Sequence, residues 1–573
     1  MNSKAGERIS DQHYRTAGAG IHGMANKVVV IGGVAAGASA AARLRRLDEK
    51  AEIILFEKGE YISFANCGLP YYVGGVIPQR NNLLILSPQT MQERFDIEVR
   101  IWSEVTRILP QQKLVEVHHL LSGKKYQESY DYLILTPGSI PVAPPLEGLD
   151  KTNVFTVRNI PDSDIIREYV QENQPSRAVV VGGGFIGLEM ADMLNYLGID
   201  VTILEASAQV MPPLDPEMAS FMHRYIRNIG INLLLNRRAV RLEGEEHVQQ
   251  VVLDDNSTIE TDLVILGVGV KPETSLAREA GLAIGSTGGI LVNECLQTSD
   301  PYIYAGGDAI QIKDFQTGHE MLLPLAGPAN RQGWIIANNI CGRKTSYNGA
   351  QGTAIVKFGQ MTAAVTGLNE KRLQALGLPY LAIHTNPNSH AAYYPRAMPM
   401  AIKLLFTPRE GKLLGAQIVG YEGVDKRIDV IATALRAGMT VFDLQELELA
   451  YAPPFSSAKD PVNMTGYAAA NLVNGDVEVI HWPEVPARVA KGAFLLDVRT
   501  PKEVARGKVP ESYHIPLDEM RLRRDEIPAD KEILIYCHSG LRSYIAARIL
   551  KQLDYRVLNI SGGYNLWEAQ QPE

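Results

Sequence analysis

Short apolar runs, each closed by glycine and followed by a helical pattern, recur along the chain and mark out its units. KVVVIGG (27–33) leads into AAGASAAARLRRL, and EIILF (52–56) ends on Glu57. Apolar runs of this length bounded by glycine predict buried strands, and the strand–turn–helix–strand order is the βαβ unit of a doubly wound sheet. The order returns at RAVVVGGGFIGLEMADMLNYLG (177–198) and VTILE (201–205). A further run, LVILGVGVKPE (263–273), precedes TSDPYIYAGGDA (298–309). From about residue 346 the pattern changes, and GTAIVKF, AIKLLF and LLGAQIVG predict antiparallel strands beside helices. After a break near NLVNGDVEVIHWPE (471–484) a last α/β rhythm begins: FLLDV, a helix, ILIYC, a helix. Those final ~95 residues are enough to fold alone.

A chain of 573 residues is too long for one core and predicts roughly three to five domains. With 46% hydrophobic and 21% charged residues it reads as an ordinary globular protein, and no apolar stretch approaches a membrane span. A formal charge of −8 without a basic run argues against nucleic acid as a partner. Four scattered cysteines (Cys67, Cys295, Cys341, Cys537) exclude a zinc ribbon, a C-x-x-C dithiol and a secreted disulfide framework. Residues 1–23 are polar, lack a signal-peptide core and precede a second Met, Met24, so they are expected to be a disordered leader, and the chain cytoplasmic.

The two glycine turns carry the first chemistry. Gly32-Gly33-Val34-Ala35-Ala36-Gly37 departs from G-x-G-x-x-G by placing Val34 at the middle glycine. Gly32 permits the tight turn, Gly37 the close helix–sheet contact, and Glu57 is placed to accept from a ribose hydroxyl. The second turn satisfies the fingerprint with Gly182, Gly184 and Gly187, and Glu205 ends its second strand. Glu205 would repel a 2′-phosphate, and 206–209 hold no arginine, so NADH is expected over NADPH unless a distant Arg or Lys serves. Two nucleotide units in one chain predict electron transfer between two nucleotides.

Thr298 and the IYA-x-G-D run ending at Asp308 resemble the second FAD motif of the two-dinucleotide-binding-domain flavoproteins. Within that group SFANCGLPYY (63–72), PLAGPANRQG (324–333), SHAAYYP (389–395) and YAPPFSSAKDPVN (451–463) are similar to the coenzyme A-disulfide reductases over about 24–472. The expected fold is thus α/β: two Rossmann-like dinucleotide-binding domains, an α+β dimerisation domain and a separate C-terminal α/β domain. The expected boundaries are 24–145 with 262–345 for FAD, 146–261 for NAD(P)H, 346–472 for the dimerisation domain and 479–573 for the last. In the C-terminal piece, strand ILIYC runs into Cys537-His538-Ser539-Gly540-Leu541-Arg542, with DVRT and HIP upstream, and this resembles a rhodanese sulfurtransferase. Loop N–H groups, the following helix and Arg542 would favour a thiolate or anionic persulfide on Cys537. The loop is shorter than that of the similar cysteine phosphatases, which favours sulfur over phosphate.

The resemblance implies that Cys67, the only cysteine of its segment, forms a mixed disulfide with coenzyme A rather than with a second protein thiol. The following helix is expected to lower its pKa. It implies a homodimer in which Tyr393 and Tyr451 come from the partner subunit to orient or protonate the leaving thiol, with adjacent Tyr394 an alternative to Tyr393. It also implies a coenzyme A channel lined by Ser39, Arg43, Arg46, Ser63, Asn66, Asn330 and Lys459. NADH, through FAD, would then reduce CoA disulfide, CoA persulfide or polysulfide. The rhodanese Cys537 would supply sulfane sulfur, its effective concentration raised by a short flexible linker. His390, His538, Cys295 and Cys341 are expected to be structural. The alternatives are an NADH oxidase or peroxidase cycling Cys67 through a sulfenic acid, and a sulfur-relay or redox-sensing protein.

Overall fold

A computed structural model describes residues 26–571; the expected 1–23 leader lies outside them. The first sheet orders Ile303–Ala305, Tyr132–Leu135, Lys27–Ile31, Glu52–Phe56 and Glu98–Arg100, all parallel. The second orders Asn232–Leu235, Asp200–Glu205, Arg177–Val181, Leu263–Leu266 and Val154–Thr156, again all parallel. In each, the strand before the glycine turn is central and buried along nearly its whole length, as a sheet covered on both faces requires.

The expected boundary at 262 is corrected by this pairing. Leu263–Leu266 bonds between Arg177–Val181 and Val154–Thr156, inside the second sheet. Four apolar residues carry no mark of which sheet accepts them. The chain leaves the second unit only afterwards, where Val270–Pro272 pairs antiparallel with Ser139–Pro141. The outgoing and returning connections between the two nucleotide units therefore form one ribbon.

A five-stranded antiparallel sheet follows, ordered Ala354–Phe358, Met361–Gly367, Leu413–Gly420, Met400–Phe406, Leu381–Thr385. Helices Val424–Arg436 and Pro461–Val473 share its apolar core. The last unit is a parallel sheet ordered Val479–Ile480, Val557–Ile560, Ile533–Tyr536, Phe494–Asp497, Tyr513–His514.

That last unit is docked, not tethered. The five residues 474–478 between helix and strand are held by Lys551 Nζ on the Gly475 carbonyl (2.7 Å) and by the Arg548–Asp476 ion pair (3.2 Å). Arg224, on helix Pro216–Asn228 of the second unit, pairs with Glu568 at 2.8 Å. His384 bonds Ser561 Oγ through its backbone N–H and its Nδ1, both at 2.9 Å. Asn386 donates to the carbonyls of Ser539 and Gly562 and accepts from Asn565. Beneath lies a buried charge cluster: Lys403, fully enclosed in strand Met400–Phe406, meets Asp215 (2.8 Å), Glu370 (3.1 Å) and Glu217. The carboxylates of Asp215, Glu217 and Glu370 are spaced as metal ligands would be, but the Lys403 ammonium is bound among them. The expected flexible linker is thus replaced by a fixed interface.

Candidate active site

The two glycine turns form matching cradles. Gly32 has φ +93°, and a Cβ there would lie 2.1 Å from the Thr136 carbonyl oxygen. A Cβ on Gly37 would lie 1.9 Å from the Gly32 carbonyl oxygen, so only glycine lets helix Ala35–Leu47 start this close to the strand. Val34, at the missing glycine, caps that helix through its backbone alone. The Glu57 carboxylate accepts from the N–H groups of Gly33 (3.0 Å) and Gly59 (3.1 Å) and keeps acceptor capacity on both oxygens. Asp308 accepts from Ser139 Oγ at 3.0 Å, and desolvation pushes its carboxyl up. A half-buried acceptor with one protein partner suits a polyhydroxyl ligand, and these residues fit FAD. The Thr298 hydroxyl, by contrast, closes a turn with Asp300 and places the Ile303–Ala305 strand.

The second cradle repeats the logic. Gly182 has φ +110° and faces the Gly267 carbonyl, Gly187 approaches Gly182 in the same way, and Gly184 has open space before it. Glu205 accepts from Gly183 N–H (2.7 Å) and from the N–H and hydroxyl of Ser207. These residues fit a pyridine dinucleotide. Arg237, whose N–H bonds the Glu205 carbonyl, turns its guanidinium to Asp255 at 3.2 Å.

Cys67 stands in a 3-10 turn, Asn66–Gly68, opening the short helix Leu69–Val73, and is exposed. Ser63, just before it, is buried with φ +45°. The expected depression of its thiol pKa is corrected: desolvation pushes Cys67 up, and Glu189 and Asp308 add to the shift. A five-residue helix offers little dipole, whereas the negative charges of two carboxylates, one from each nucleotide unit, act on the sulfur. Glu189, on helix Phe185–Tyr196, accepts from Tyr71 Oη at 3.2 Å, and burial pushes it up to about 7. Nothing in the local pattern singled out Glu189; its place in the second fingerprint, two residues after Gly187, was the available signal.

Tyr393 and Tyr451 share a hydrogen bond between hydroxyls at 2.9 Å, and both are exposed. Tyr394 instead packs its ring on His390, which braces the loop through Ser389 and the Pro395 carbonyl. No hydrogen bond among the described residues joins either tyrosine hydroxyl to the Cys67 segment of the same chain.

Of the expected channel residues, Ser39, Arg43, Arg46 and Asn330 fall on two packed helices, Ala35–Leu47 and Ala326–Ile340, whereas Ser63 and Asn66 belong to the Cys67 segment. Ser39 Oγ donates to Asn330 at 2.5 Å, and Arg43 donates to Asn338 and lies over Trp334. Burial, then Arg343 and Arg46, push Arg43 down, which marks three guanidiniums gathered without enough acid. Trp334, Asn338 and Arg343 were missed from sequence. Lys459 stands over the Tyr467 ring, apart from that cluster's contacts.

In the C-terminal unit Cys537 is fully buried, and its sulfur accepts from the Gly540 N–H at 3.1 Å. Arg542 is turned aside: its two terminal nitrogens bond both Glu503 oxygens at 2.7 and 2.6 Å. Glu503 was not anticipated, although TPKE reads as a capping box and does cap helix Pro501–Val504 through Thr500. Cys295 and Cys341 are free and half-buried.

Comparison with known proteins accounts for this layout. Residues 26–333 match the pyridine nucleotide-disulphide oxidoreductases, 353–461 their dimerisation domain, and 482–570 the rhodanese-like domain. The coenzyme A disulfide reductase of Staphylococcus haemolyticus (strain JCSC1435) is 36% identical over 447 residues, which is 78% of this chain and all of that protein. The reduced Bacillus anthracis CoADR-RHD structure superposes with a TM-score of 0.93 at 50% identity, covering 95% of this chain and 98% of that one. A NAD-dependent persulfide reductase from A. fulgidus gives 0.90 at 38% identity, with 94% and 100% covered. Two nucleotide cradles flanking one exposed thiol, followed by a dimerisation sheet and a sulfurtransferase-like loop, place this chain in the pyridine nucleotide-disulphide oxidoreductases, FAD- and NAD(P)H-dependent enzymes, with a rhodanese domain at its C-terminal end.

Proposed function

We propose that the enzyme uses NADH to reduce coenzyme A disulfide and coenzyme A persulfide through Cys67 alone, and that Cys537 supplies the sulfane sulfur. The observation that carries this reading is the isolation of Cys67: it is exposed between the two cradles, and the chain's other three thiols are free and lie elsewhere. The second sulfur must therefore come from substrate. The similar proteins named for coenzyme A disulfide and for persulfide support both substrates.

Bound FAD, charged by NADH, would supply the two electrons that reopen a disulfide. The rest is done by the chain. Cys67 thiolate attacks a sulfur of the substrate; a Cys67–S–S–CoA bond forms, and CoA thiolate leaves from the disulfide or hydrosulfide from the persulfide. The Tyr393–Tyr451 pair, carried on a surface that the dimerisation domain would set against a second copy, orients or protonates the leaving sulfur. Arg43, Arg46 and Arg343 provide charge for phosphates of the carrier, with Ser39 and Asn330 beside them. The Glu205 corner, with Arg237 committed to Asp255, supports NADH over NADPH. Both substrates give the same mixed disulfide, so supply rather than chemistry selects between them.

Anaerobic NADH oxidation with each substrate tests this. Cys67→Ser is expected to lose both activities by about a thousandfold or more, while Cys537→Ser spares both when CoA persulfide is supplied directly. Full activity in Cys67→Ser, or rapid NADH consumption with oxygen and no coenzyme A, would overturn the reading in favour of an oxidase.

A further inference from the structure

Glu503 touches neither cradle nor Cys67, yet it controls the only guanidinium in the rhodanese loop. Arg542 is bound through both terminal nitrogens by both Glu503 oxygens, and that carboxylate also takes the backbone N–H (2.9 Å) and hydroxyl (2.7 Å) of Thr500. The pair is partly exposed, at 30% for Arg542 and 28% for Glu503, so a donor arriving at the loop meets it. A second guanidinium whose field reaches His538 in the loop, Arg499, is likewise held by its own carboxylate, Asp497, at 2.7 Å. His538 itself is pushed down, chiefly by burial. Beside the loop two apolar side chains, Leu541 and Ile545, one helical turn apart, are exposed.

We infer that Glu503 is a specificity-determining residue of the sulfurtransferase half: by neutralising Arg542 it makes Cys537 accept sulfur from low-molecular-weight organic persulfides and discriminates against inorganic thiosulfate. Thiosulfate brings two negative charges to the loop and needs an unpaired cation to be held there. An organic persulfide needs none, and its carbon group lies against Leu541 and Ile545. In the loading step Cys537 thiolate attacks the outer sulfur of the donor; the Cys537 S–S bond forms, and the donor's S–S bond breaks. The leaving group is RS⁻ from a persulfide or sulfite from thiosulfate, with no net oxidant or reductant. The inference rests on Cys537 being the sulfur carrier proposed above.

The test is the rate at which Cys537 in the FAD-loaded full-length enzyme gains one sulfur, followed by peptide mass spectrometry, with 2-hydroxyethyl persulfide or thiosulfate as donor. Wild type is expected to load from the persulfide about a hundredfold faster than from thiosulfate at equal concentration. Glu503→Gln frees Arg542 and should raise thiosulfate loading about tenfold through a lower half-saturating concentration, leaving persulfide loading within about twofold. The gain should vanish at about 0.5 M salt. Glu503→Asp, which keeps the charge, should follow wild type, and CoA-disulfide reduction by the same preparations reports that each variant is folded. Equal use of the two donors by wild type, a thiosulfate rate that is flat or lower in Glu503→Gln, or the same gain in Glu503→Asp overturns the inference. Failure of wild type to load from either donor overturns instead the reading of Cys537 as carrier.

Discussion

At the scale of single residues, the ionisation of Cys67 is set by groups from both nucleotide units. Desolvation raises its thiol, and the Glu189 and Asp308 charges raise it further. Glu189 is itself pushed up to about 7 by burial, so around neutral pH it passes from neutral to charged and in doing so opposes thiolate formation. Alkylation of Cys67 by iodoacetamide, followed from roughly pH 6 to 11 so as to run from below the Glu189 value of about 7 to beyond the ordinary thiol range, should therefore rise shallowly in wild type. Glu189→Gln removes the second titration and should move the curve to lower pH, by roughly half to one unit, with a steeper rise. Superposable curves would show that Glu189 does not act on the sulfur. The thiol's position was legible in SFANCGLPYY, but its direction of shift was not. The helix that suggested a lower pKa is adjacent in sequence, while the carboxylates that raise it come from distant segments.

At the scale of elements, the strongest regular signals were those that satisfy their own geometry. The two Gly-rich turns read correctly as strand–turn–helix because each glycine answers a local contact, as Gly37 does against the Gly32 carbonyl. Leu263–Leu266 was misplaced because its partners are decided by the neighbouring sheet. Glu503 escaped notice because a capping residue and a partner for Arg542 look identical in sequence. Helix–helix approach was equally hidden: a Cβ on Gly333 would lie 2.2 Å from the Ala36 carbonyl oxygen, so helix Ala326–Ile340 meets helix Ala35–Leu47 through this glycine. Gly333→Val must push the two helices apart, because the obstacle is backbone. The cost should be about 1–3 kcal/mol of stability, read as a lower melting temperature. It should also loosen Ser39–Asn330 and Arg43–Asn338 and raise the KM for CoA disulfide more than it lowers kcat. An unchanged KM would separate this helix pair from carrier binding.

At the scale of the whole molecule, the rhodanese unit and the reductase meet over a buried polar junction that no segment announces. MAIKLLF reads as an apolar strand broken by one lysine, yet Lys403 is enclosed because Asp215, Glu217 and Glu370 arrive from other elements. Glu217 also meets His384 at 3.1 Å, and His384 in turn bonds Ser561 and packs edge-on to His481 of the rhodanese unit. Burial, then the nearby His384 and Lys403, depress His481 from 6.5 to about 3. The Glu217 carboxylate acts the other way on His481 and only partly offsets them. The sign follows from linkage. Above pH 6.5 His481 is neutral whether docked or free, and its contribution is complete. As pH falls, the free state takes up a proton that the docked state refuses, so docking weakens by about 1.4 kcal/mol per unit until about pH 3. Limited proteolysis across residues 474–478 should therefore be slow at pH 7 and accelerate between about pH 6 and 4, before the far-ultraviolet circular dichroism of the reductase changes. His481→Phe, which keeps a ring and removes the titration, should shift the onset to lower pH. If cleavage and loss of the dichroism signal coincide in both proteins, the junction melts with the whole fold and His481 does not govern it.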